Sequence, residues 1–284
     1  MVVHGLQGAQ SIGERVRSTA ERPLPGHCGV DREGAPATTL PPVTSPPVLA
    51  AEKRDGYLEL TFDRPDSLNA FNQELWYAAA GALDAAAQDD SVVCVLLTGR
   101  GRAFSAGQDL GEMNDPAAFA DRPPGYGRFM PSLETFPKPV VAAVNGVAVG
   151  IGTTMLLHCD LVYVARSARL KLPFISLGVT TEASASLLLP QVVGWQRAAE
   201  LLFTEPWISA DQAVSDGLAL AAVDDDDLMA VARSAAARIG SLPLDPVRTT
   251  KRLLLAGRAE AVAAARLREL EEFQKLVGGL MPDQ

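Results

Sequence analysis

The stretch VVAAVNGVAVGIG, residues 140–152, decides how the rest of this sequence is interpreted. It opens with a continuous apolar run, residues 140–144, of the kind that forms a strand covered on both faces. Three glycines follow, and they lead into residues 152–158, which we predict to be a short buried helix. Such a junction exposes backbone N–H groups, because the first N–H groups of a helix have no internal partner.

A second glycine-bearing loop, FSAGQDL at residues 104–110, follows another apolar run at residues 92–98. Two N–H groups from separate loops are able to converge on one oxygen and to stabilise it as an oxyanion. Such an arrangement would suit chemistry in which a thioester carbonyl becomes an enolate.

Strands and helices alternate along the first two thirds of the sequence. Residues 57–62 alternate with period two and precede a turn, which predicts a strand. Residues 72–88 carry an apolar stripe at helical spacing, and residues 161–165 form a third interior strand. This alternation predicts an α/β fold with crossover connections.

The last third is predicted to be helical. Ser209 and Gln212 fit a capping box, in which each side chain satisfies a backbone donor of the other residue. Asp245 and Pro246 fit an N-cap followed by a proline in the first turn. Residues 259–276 carry apolar side chains at steps of three and four, which indicates a long final helix.

Composition excludes several classes of function. The chain has 284 residues and a net charge of −9, which argues against a nucleic-acid partner, since an acidic surface repels phosphate. No apolar stretch is long enough to span a membrane, and the N-terminus lacks the apolar core of a signal peptide. Three cysteines without paired spacing, and histidines outside any cluster, predict no disulfide, no metal site and a cytoplasmic protein.

Three regions are predicted from changes in composition. Residues 1–47 are rich in proline, glycine and small polar residues, and we expect a disordered extension. Residues 48–222 contain the alternating strands and helices of a core domain. Residues 223–284 are expected to form a helical region.

The order of the motifs resembles the crotonase superfamily of acyl-CoA enzymes, the enoyl-CoA hydratases and isomerases. The resemblance is carried by RPDSLNA at 64–70, by the two glycine loops, by Cys159-Asp160 and by residues 212–218. It implies a spiral of ββα units with a C-terminal helical trimerisation region, a homotrimer or dimer of trimers. It also implies an acyl-CoA thioester as substrate and no separate cofactor, since coenzyme A is part of that substrate.

The resemblance also implies roles for particular residues. Ala106 and Gly150 would supply the two oxyanion donors. Arg64 and Lys251 would contact phosphate. The residues expected to bind substrate or coenzyme A are Arg64, Ser67, Leu68, Ala70, Ala106, Gln108, Asp109, Leu110, Gly150, Phe174 and Lys251. The residues alone are also consistent with purely structural roles at these positions. These roles are tight turns, solvated charges and, for Asp109 and Asp160, hydrogen bonds to the local backbone.

The sequence departs from the hydratase pattern at two positions. Hydratases of this superfamily place one glutamate four residues beyond the helix-start glycine and another after the next strand. Those positions hold Thr154 and Phe174 here. Neither side chain accepts a proton from water at neutral pH, so the two-carboxylate machinery for adding water is missing.

A single carboxylate, Glu182, follows in GVTTEAS at residues 178–184. The position of this glutamate resembles that of the glutamate in peroxisomal-type Δ3,Δ2-enoyl-CoA isomerases. An apolar pocket would raise its pKa. We therefore expect a 3-enoyl-CoA to trans-2-enoyl-CoA isomerase. The alternative for Glu182 is a first-turn glutamate of a helix capped by Thr180 or Thr181.

Other functions stay open from the sequence alone. Another crotonase-type reaction, such as hydration, thioester hydrolysis or decarboxylation, would keep the oxyanion site. A non-catalytic protein of this fold would bind acyl-CoA without converting it to a product.

Overall fold

The apolar runs of the sequence form the interior strands of a six-stranded sheet in the computed structural model, which describes residues 47–113 and 115–280. These residues belong to one compact unit. The predicted extension, residues 1–47, lies outside the described residues except for Pro47. The predicted boundary at residue 222 within the compact unit stays a prediction.

Ten strands and ten α-helices are found among the described residues. The strands are β1 (Leu49–Arg54), β2 (Tyr57–Phe62), β3 (Cys94–Gly99), β4 (Ala103–Ser105), β5 (Val140–Val144), β6 (Val147–Val149), β7 (Leu161–Ala165), β8 (Arg169–Lys171), β9 (Ile208–Ser209) and β10 (Ala221–Val223). The helices are α1 (Gln73–Gln88), α2 (Leu110–Met113), α3 (Tyr126–Glu134), α4 (Ile151–Thr154), α5 (Ala185–Val193), α6 (Trp195–Phe203), α7 (Ala210–Ser215), α8 (Leu228–Gly240), α9 (Leu244–Ala256) and α10 (Ala259–Leu280).

The strands form two sheets, in the orders β1-β2-β3-β5-β7-β10 and β4-β6-β8-β9. The pairs β3–β4, β5–β6 and β7–β8 each place their first strand in the larger sheet and their second strand in the smaller one. One or more helices follow each pair. The predicted α/β fold with repeated ββα units is confirmed.

The central strands are apolar because helices cover the sheet. Every residue of β3 and of β5 is buried, and α8 packs on both strands. An aromatic cluster lies near α1 and α3, where the ring centroids of Phe62 and Phe71 are 4.9 Å apart and those of Phe71 and Trp76 are 4.3 Å apart. This cluster fixes the chain at the end of the RPDSLNA motif.

Most of the predicted helix signals are confirmed. The helix predicted at residues 72–88 is α1, which Asn72 caps by accepting the N–H of Leu75 at 2.9 Å. The predicted capping box of Ser209 and Gln212 is present. The predicted cap at Asp245 is wrong, because α9 begins at Leu244 with Pro243 as its N-cap.

The buried helix predicted at residues 152–158 is α4 continued by a 3-10 turn, Met155–His158. In the described part of the chain no helix is both long and apolar enough to cross a bilayer. Burial raises the pKa of the Cys94 and Cys159 thiols to about 12, so both behave as apolar groups.

Candidate active site

The two glycine loops lie against each other because β4 and β6 are neighbours in the smaller sheet. A side chain at Gly107 would place its Cβ 2.8 Å from the carbonyl oxygen of Val149 and 3.9 Å from the Cα of Gly150. Gly107 also has a φ of +96°, a conformation that favours glycine. Glycine is therefore required here for the backbones to approach so closely.

The structure corrects the predicted oxyanion donors. The N–H of Ala106 donates to the carbonyl oxygen of Leu68 at 2.9 Å, and the N–H of Gly150 donates to that of Lys171 at 3.0 Å. Both groups are used to hold the loops in place, so neither is available to a ligand in this arrangement.

The unused N–H groups lie one or two residues further along each loop. Within the residues that the structure describes, the N–H groups of Gln108 and Ile151 have no hydrogen-bond acceptor. Ile151 is the first residue of α4, where an N–H has no partner inside the helix. Counting from the helix start rather than from the glycine would have found Ile151 in the sequence.

Glu182 lies in a strained turn before α5 and not inside its first turn. The helix begins at Ala185 with Ser184 as its N-cap, so neither Thr180 nor Thr181 caps it. Ala183 and Ser184 both have a φ of +58°, which is unfavourable for residues with a side chain. Strain of this kind is concentrated at functional sites.

The Glu182 carboxylate faces the second glycine loop. The Cβ position that Gly150 leaves empty is 4.0 Å from Oε1 of Glu182 and 3.9 Å from Cε1 of Phe174. Burial, and to a lesser extent the carboxylate of Glu269, raise the pKa of Glu182 to about 8. No described residue donates a hydrogen bond to this carboxylate.

The two positions that hold acids in hydratases are apolar or internally bonded. Thr154 is buried, and its hydroxyl donates to the carbonyl oxygen of Gly150 at 3.3 Å. Phe174 is 6% exposed and packs beside Glu182. Glu182 is therefore the carboxylate that this region presents.

Comparisons with known proteins agree with this geometry. Residues 52–278 match the sequence profile of the enoyl-CoA hydratase/isomerase family. The chain belongs to this family.

Three relatives illustrate how the family members differ. The chain is 40% identical over 194 residues to 1,2-epoxyphenylacetyl-CoA isomerase of Escherichia coli, which covers 66% of this chain and 74% of that protein. It is 31% identical to human enoyl-CoA delta isomerase 2 over 80% of this chain and 59% of that protein. A solved enoyl-CoA hydratase/isomerase from Pseudoalteromonas atlantica is 38% identical and superposes with a TM-score of 0.79, covering 81% and 91% of the two chains.

The RPDSLNA segment of this family member packs against the first glycine loop. Arg64 forms an ion pair with Asp109 at 3.0 Å and donates to the carbonyl oxygen of Ala70. Asp109 also accepts the N–H groups of Gly111 and Glu112 at 3.1 and 3.3 Å. Arg64 and Asp109 therefore brace the loops, and the phosphate contact expected of Arg64 stays a prediction.

Most of the predicted coenzyme A residues come together at this junction. Leu68 accepts the N–H of Ala106, and Gln108 accepts the indole N–H of Trp76 at 3.0 Å. Ser67 and Leu110 are exposed beside them. Whether these residues contact a substrate stays a prediction.

The sequence analysis assigned no structural role to Asn69, whose side chain joins three segments of the chain at this junction. Its side chain accepts the N–H of Arg64 at 2.9 Å and donates to the carbonyl oxygens of Arg100 and Ala103 at 2.9 and 2.7 Å. Its φ of +57° is tolerated because asparagine is one of the residues that adopt this conformation.

Lys251 is not part of this junction. It is 3% exposed, and its ammonium group contacts both carboxylate oxygens of Asp160 at 2.8 and 2.6 Å. Asp160 also accepts the N–H of Val140 at 2.8 Å. The predicted phosphate contact of Lys251 is wrong, because this charge ties α9 to the start of β5.

The other acids near the loops have structural partners. Glu112 accepts the N–H of Gln73 at 2.6 Å and so caps α1. Glu134 forms an ion pair with Arg266 at 2.9 Å, which joins α3 to α10. These contacts leave Glu182 as the strongest candidate for a base.

Proposed function

We propose that this protein is a Δ3,Δ2-enoyl-CoA isomerase, which converts a 3-enoyl-CoA to the trans-2-enoyl-CoA. The observation that carries the proposal is one carboxylate, Glu182, without a hydrogen-bond donor and 4.0 Å from the empty Cβ position of Gly150. The hydratase positions hold Thr154 and Phe174, which supply no second acid.

A single base is sufficient for this reaction. Glu182 takes the proton from C2, and the electron pair of the broken C–H bond moves toward the thioester oxygen to form an enolate. The N–H groups of Gln108 and Ile151 stabilise the negative charge on that oxygen. The protonated Glu182 then returns the proton to C4 while the double bond forms between C2 and C3.

The environment of Glu182 suits both halves of this transfer. A carboxylate with a pKa of about 8 is a stronger base than an ordinary glutamate and still releases its proton near neutral pH. The apolar ring of Phe174 and the carboxylate of Glu182 both lie about 4 Å from the Cβ position of Gly150. Because only the deprotonated form abstracts a proton, activity should rise with pH through about 8.

The test is the conversion of 3-hexenoyl-CoA to the conjugated 2-enoyl product, followed by ultraviolet absorbance. Glu182→Gln should reduce kcat by about 10³-fold, within the range of general acid–base contributions, and should still bind acyl-CoA. Full activity of this variant would remove Glu182 from the mechanism. Free coenzyme A or carbon dioxide as the product would instead support hydrolysis or decarboxylation, and binding without turnover would support a non-catalytic protein.

A second candidate is the isomerisation of 1,2-epoxyphenylacetyl-CoA. The observation that favours it is the 40% identity to the Escherichia coli isomerase of that name, against 31% to the human delta isomerase. The same purified enzyme assayed with both thioesters separates the two, since the preferred substrate will have the higher kcat/KM.

We also propose that the protein acts as a cytoplasmic homotrimer or dimer of trimers. Large apolar side chains are exposed on the single chain at α6 and α9, where Trp195, Phe203 and Leu253 are 77%, 73% and 68% exposed. Apolar patches of this kind mark protein interfaces. Sedimentation should give a multiple of three chains, and a monomer would contradict the proposal.

A further inference from the structure

The last helix reaches the turn that carries Glu182. The carboxylate of Glu269, on α10, accepts the N–H of Ser184 at 2.7 Å and the N–H of Ser186 at 2.8 Å. Glu269 is 6% exposed, so these bonds lie away from solvent. Buried hydrogen bonds to an ionised acceptor are among the strong ones in proteins.

The turn needs such support because its backbone is strained. Ala183 and Ser184 both have positive φ values, and residues with a side chain keep this conformation only where their surroundings hold it. The hydroxyl of Ser184 donates to the carbonyl oxygen of Val262 on α10 at 2.9 Å. Two further side chains hold Ala183: the hydroxyl of Tyr126 accepts its N–H at 2.9 Å, and Nε2 of His158 bonds its carbonyl oxygen at 2.7 Å.

We infer that Glu269 is a positioning residue for the proton shuttle, because its carboxylate fixes the turn that carries Glu182. The inference rests on the proposed function, because it needs Glu182 to be the base. It assigns to the C-terminal helix a direct part in preparing the site.

The titratable groups near the Glu182 turn come from three elements. Helix α3 contributes Tyr126 and Glu134, α10 contributes Arg266 and Glu269, and the 3-10 turn before Cys159 contributes His158. Arg266 is paired with Glu134 at 2.9 Å, and burial lowers the pKa of His158 to about 4, so its imidazole is neutral. After burial, the negative charge of Glu269 is the next largest cause of the raised pKa of Glu182.

Two substitutions separate the reach of Glu269 from its charge. Glu269→Gln keeps the length of the side chain but removes the charge and one of the two N–H acceptors. The pH at which kcat/KM reaches half its maximum should therefore move down, and kcat should also fall. Glu269→Asp keeps the charge and shortens the side chain. The pH at which kcat/KM reaches half its maximum should therefore stay the same, whereas kcat should fall by about tenfold or more, because misplacing a catalytic group by on the order of 1 Å costs at least that much. Glu272→Gln is the control on the same helix, because Glu272 is exposed and pairs only with Lys275 among the described residues.

The readouts distinguish a positioning role from a purely structural one. Both variants are assayed for pH profile, kcat and melting temperature in the full-length protein with 3-hexenoyl-CoA. The inference would be overturned if both variants had a lower melting temperature but an unchanged kcat and an unchanged pH of half-maximal kcat/KM. That result would leave the proposed function intact. If Glu182→Gln is fully active while the wild type isomerises the substrate, the proposed function itself fails.

Discussion

Two charged regions of this molecule, the Asp160–Lys251 pair and the Glu182 turn, differ in how their charges are satisfied. Lys251 contacts both oxygens of Asp160, which in turn accepts a backbone N–H. The carboxylate of Glu182 faces an apolar ring and another acid, and no described residue donates to it. The first region holds α9 on the sheet. In the second region, the raised pKa of the Glu182 carboxylate suits it to proton transfer.

The difference shows which buried charges indicate function. A buried charge with ion-pair and hydrogen-bond partners has a structural explanation, and its removal should affect folding. A buried charge without partners is costly to the fold, so its presence points to activity. Both regions contain residues singled out from the sequence, and only the contacts separate them.

The largest effect on stability is expected at Lys251. Lys251→Ala leaves the partly exposed carboxylate of Asp160 without its cation but with the N–H of Val140, so the free energy of unfolding should fall by about 1.5–3 kcal/mol, the range for hydrogen bonds to charged groups. Chemical denaturation measures this loss. The exposed Lys275–Glu272 pair provides the control, because Lys275→Ala should cost less than about 1 kcal/mol.

The same variant tests the distinction between the two regions. The KM for acyl-CoA should be unchanged in the folded fraction of Lys251→Ala. A large rise in KM with the acyl-CoA, and none with a dephosphorylated analogue, would show that Lys251 binds phosphate after all.

A smaller effect, on activity rather than on folding, is expected at Gly107. Gly107→Ala would place a methyl group 2.8 Å from the carbonyl oxygen of Val149 in a disfavoured conformation. The loop must shift and carry the N–H of Gln108 with it, so kcat should fall by about 10²-fold, the loss typical of one oxyanion donor. Steady-state kinetics measure this change.

Gly81→Ala is the matched control for Gly107→Ala. Gly81 lies in α1, and its Cβ position has no atom within 4 Å. This variant should keep full activity and gain up to about 1 kcal/mol of stability from the better helix former. A wild-type kcat in Gly107→Ala would contradict the assignment of Gln108 as a donor.

The fold was predictable because its signals are local and repeated. Apolar runs such as residues 140–144 specify covered strands, and the capping box of Ser209 and Gln212 specifies a helix start. The site was predictable as far as Glu182 and the two loops, which the sequence motifs carry. The choice of N–H donors was not, because it depends on which groups the neighbouring backbone already uses, as Ala106 and Gly150 show.

Contacts between distant segments were also beyond the sequence. Glu269 lies 87 positions after Glu182 by the numbering of the chain, and nothing in the helical pattern of α10 marks one of its several glutamates as special. The burial of Lys251 is similar, since α9 is largely exposed elsewhere along its length. Tertiary packing alone decides which charge meets which partner.

The smallest effect concerns the stability cost of Glu182 itself. The pKa of Glu182 is raised in the folded protein to about 8, from an ordinary value of 4.5, so between these values the folded state binds more protons than the unfolded state. The linkage relation then requires the contribution of this group to stability to be present below about pH 4.5 and to be lost as pH rises through about 8.

Glu182→Gln removes that dependence, because the amide stays neutral. Relative to the wild type, the variant should therefore gain on the order of 1–3 kcal/mol between pH 6 and pH 9, since a difference of one in pKa corresponds to about 1.4 kcal/mol. Denaturant titrations of both proteins at the two pH values measure the gain. A difference in stability that does not change with pH would mean that Glu182 is solvated as ordinary surface glutamates are, and the contrast with the Asp160–Lys251 pair would lose its basis.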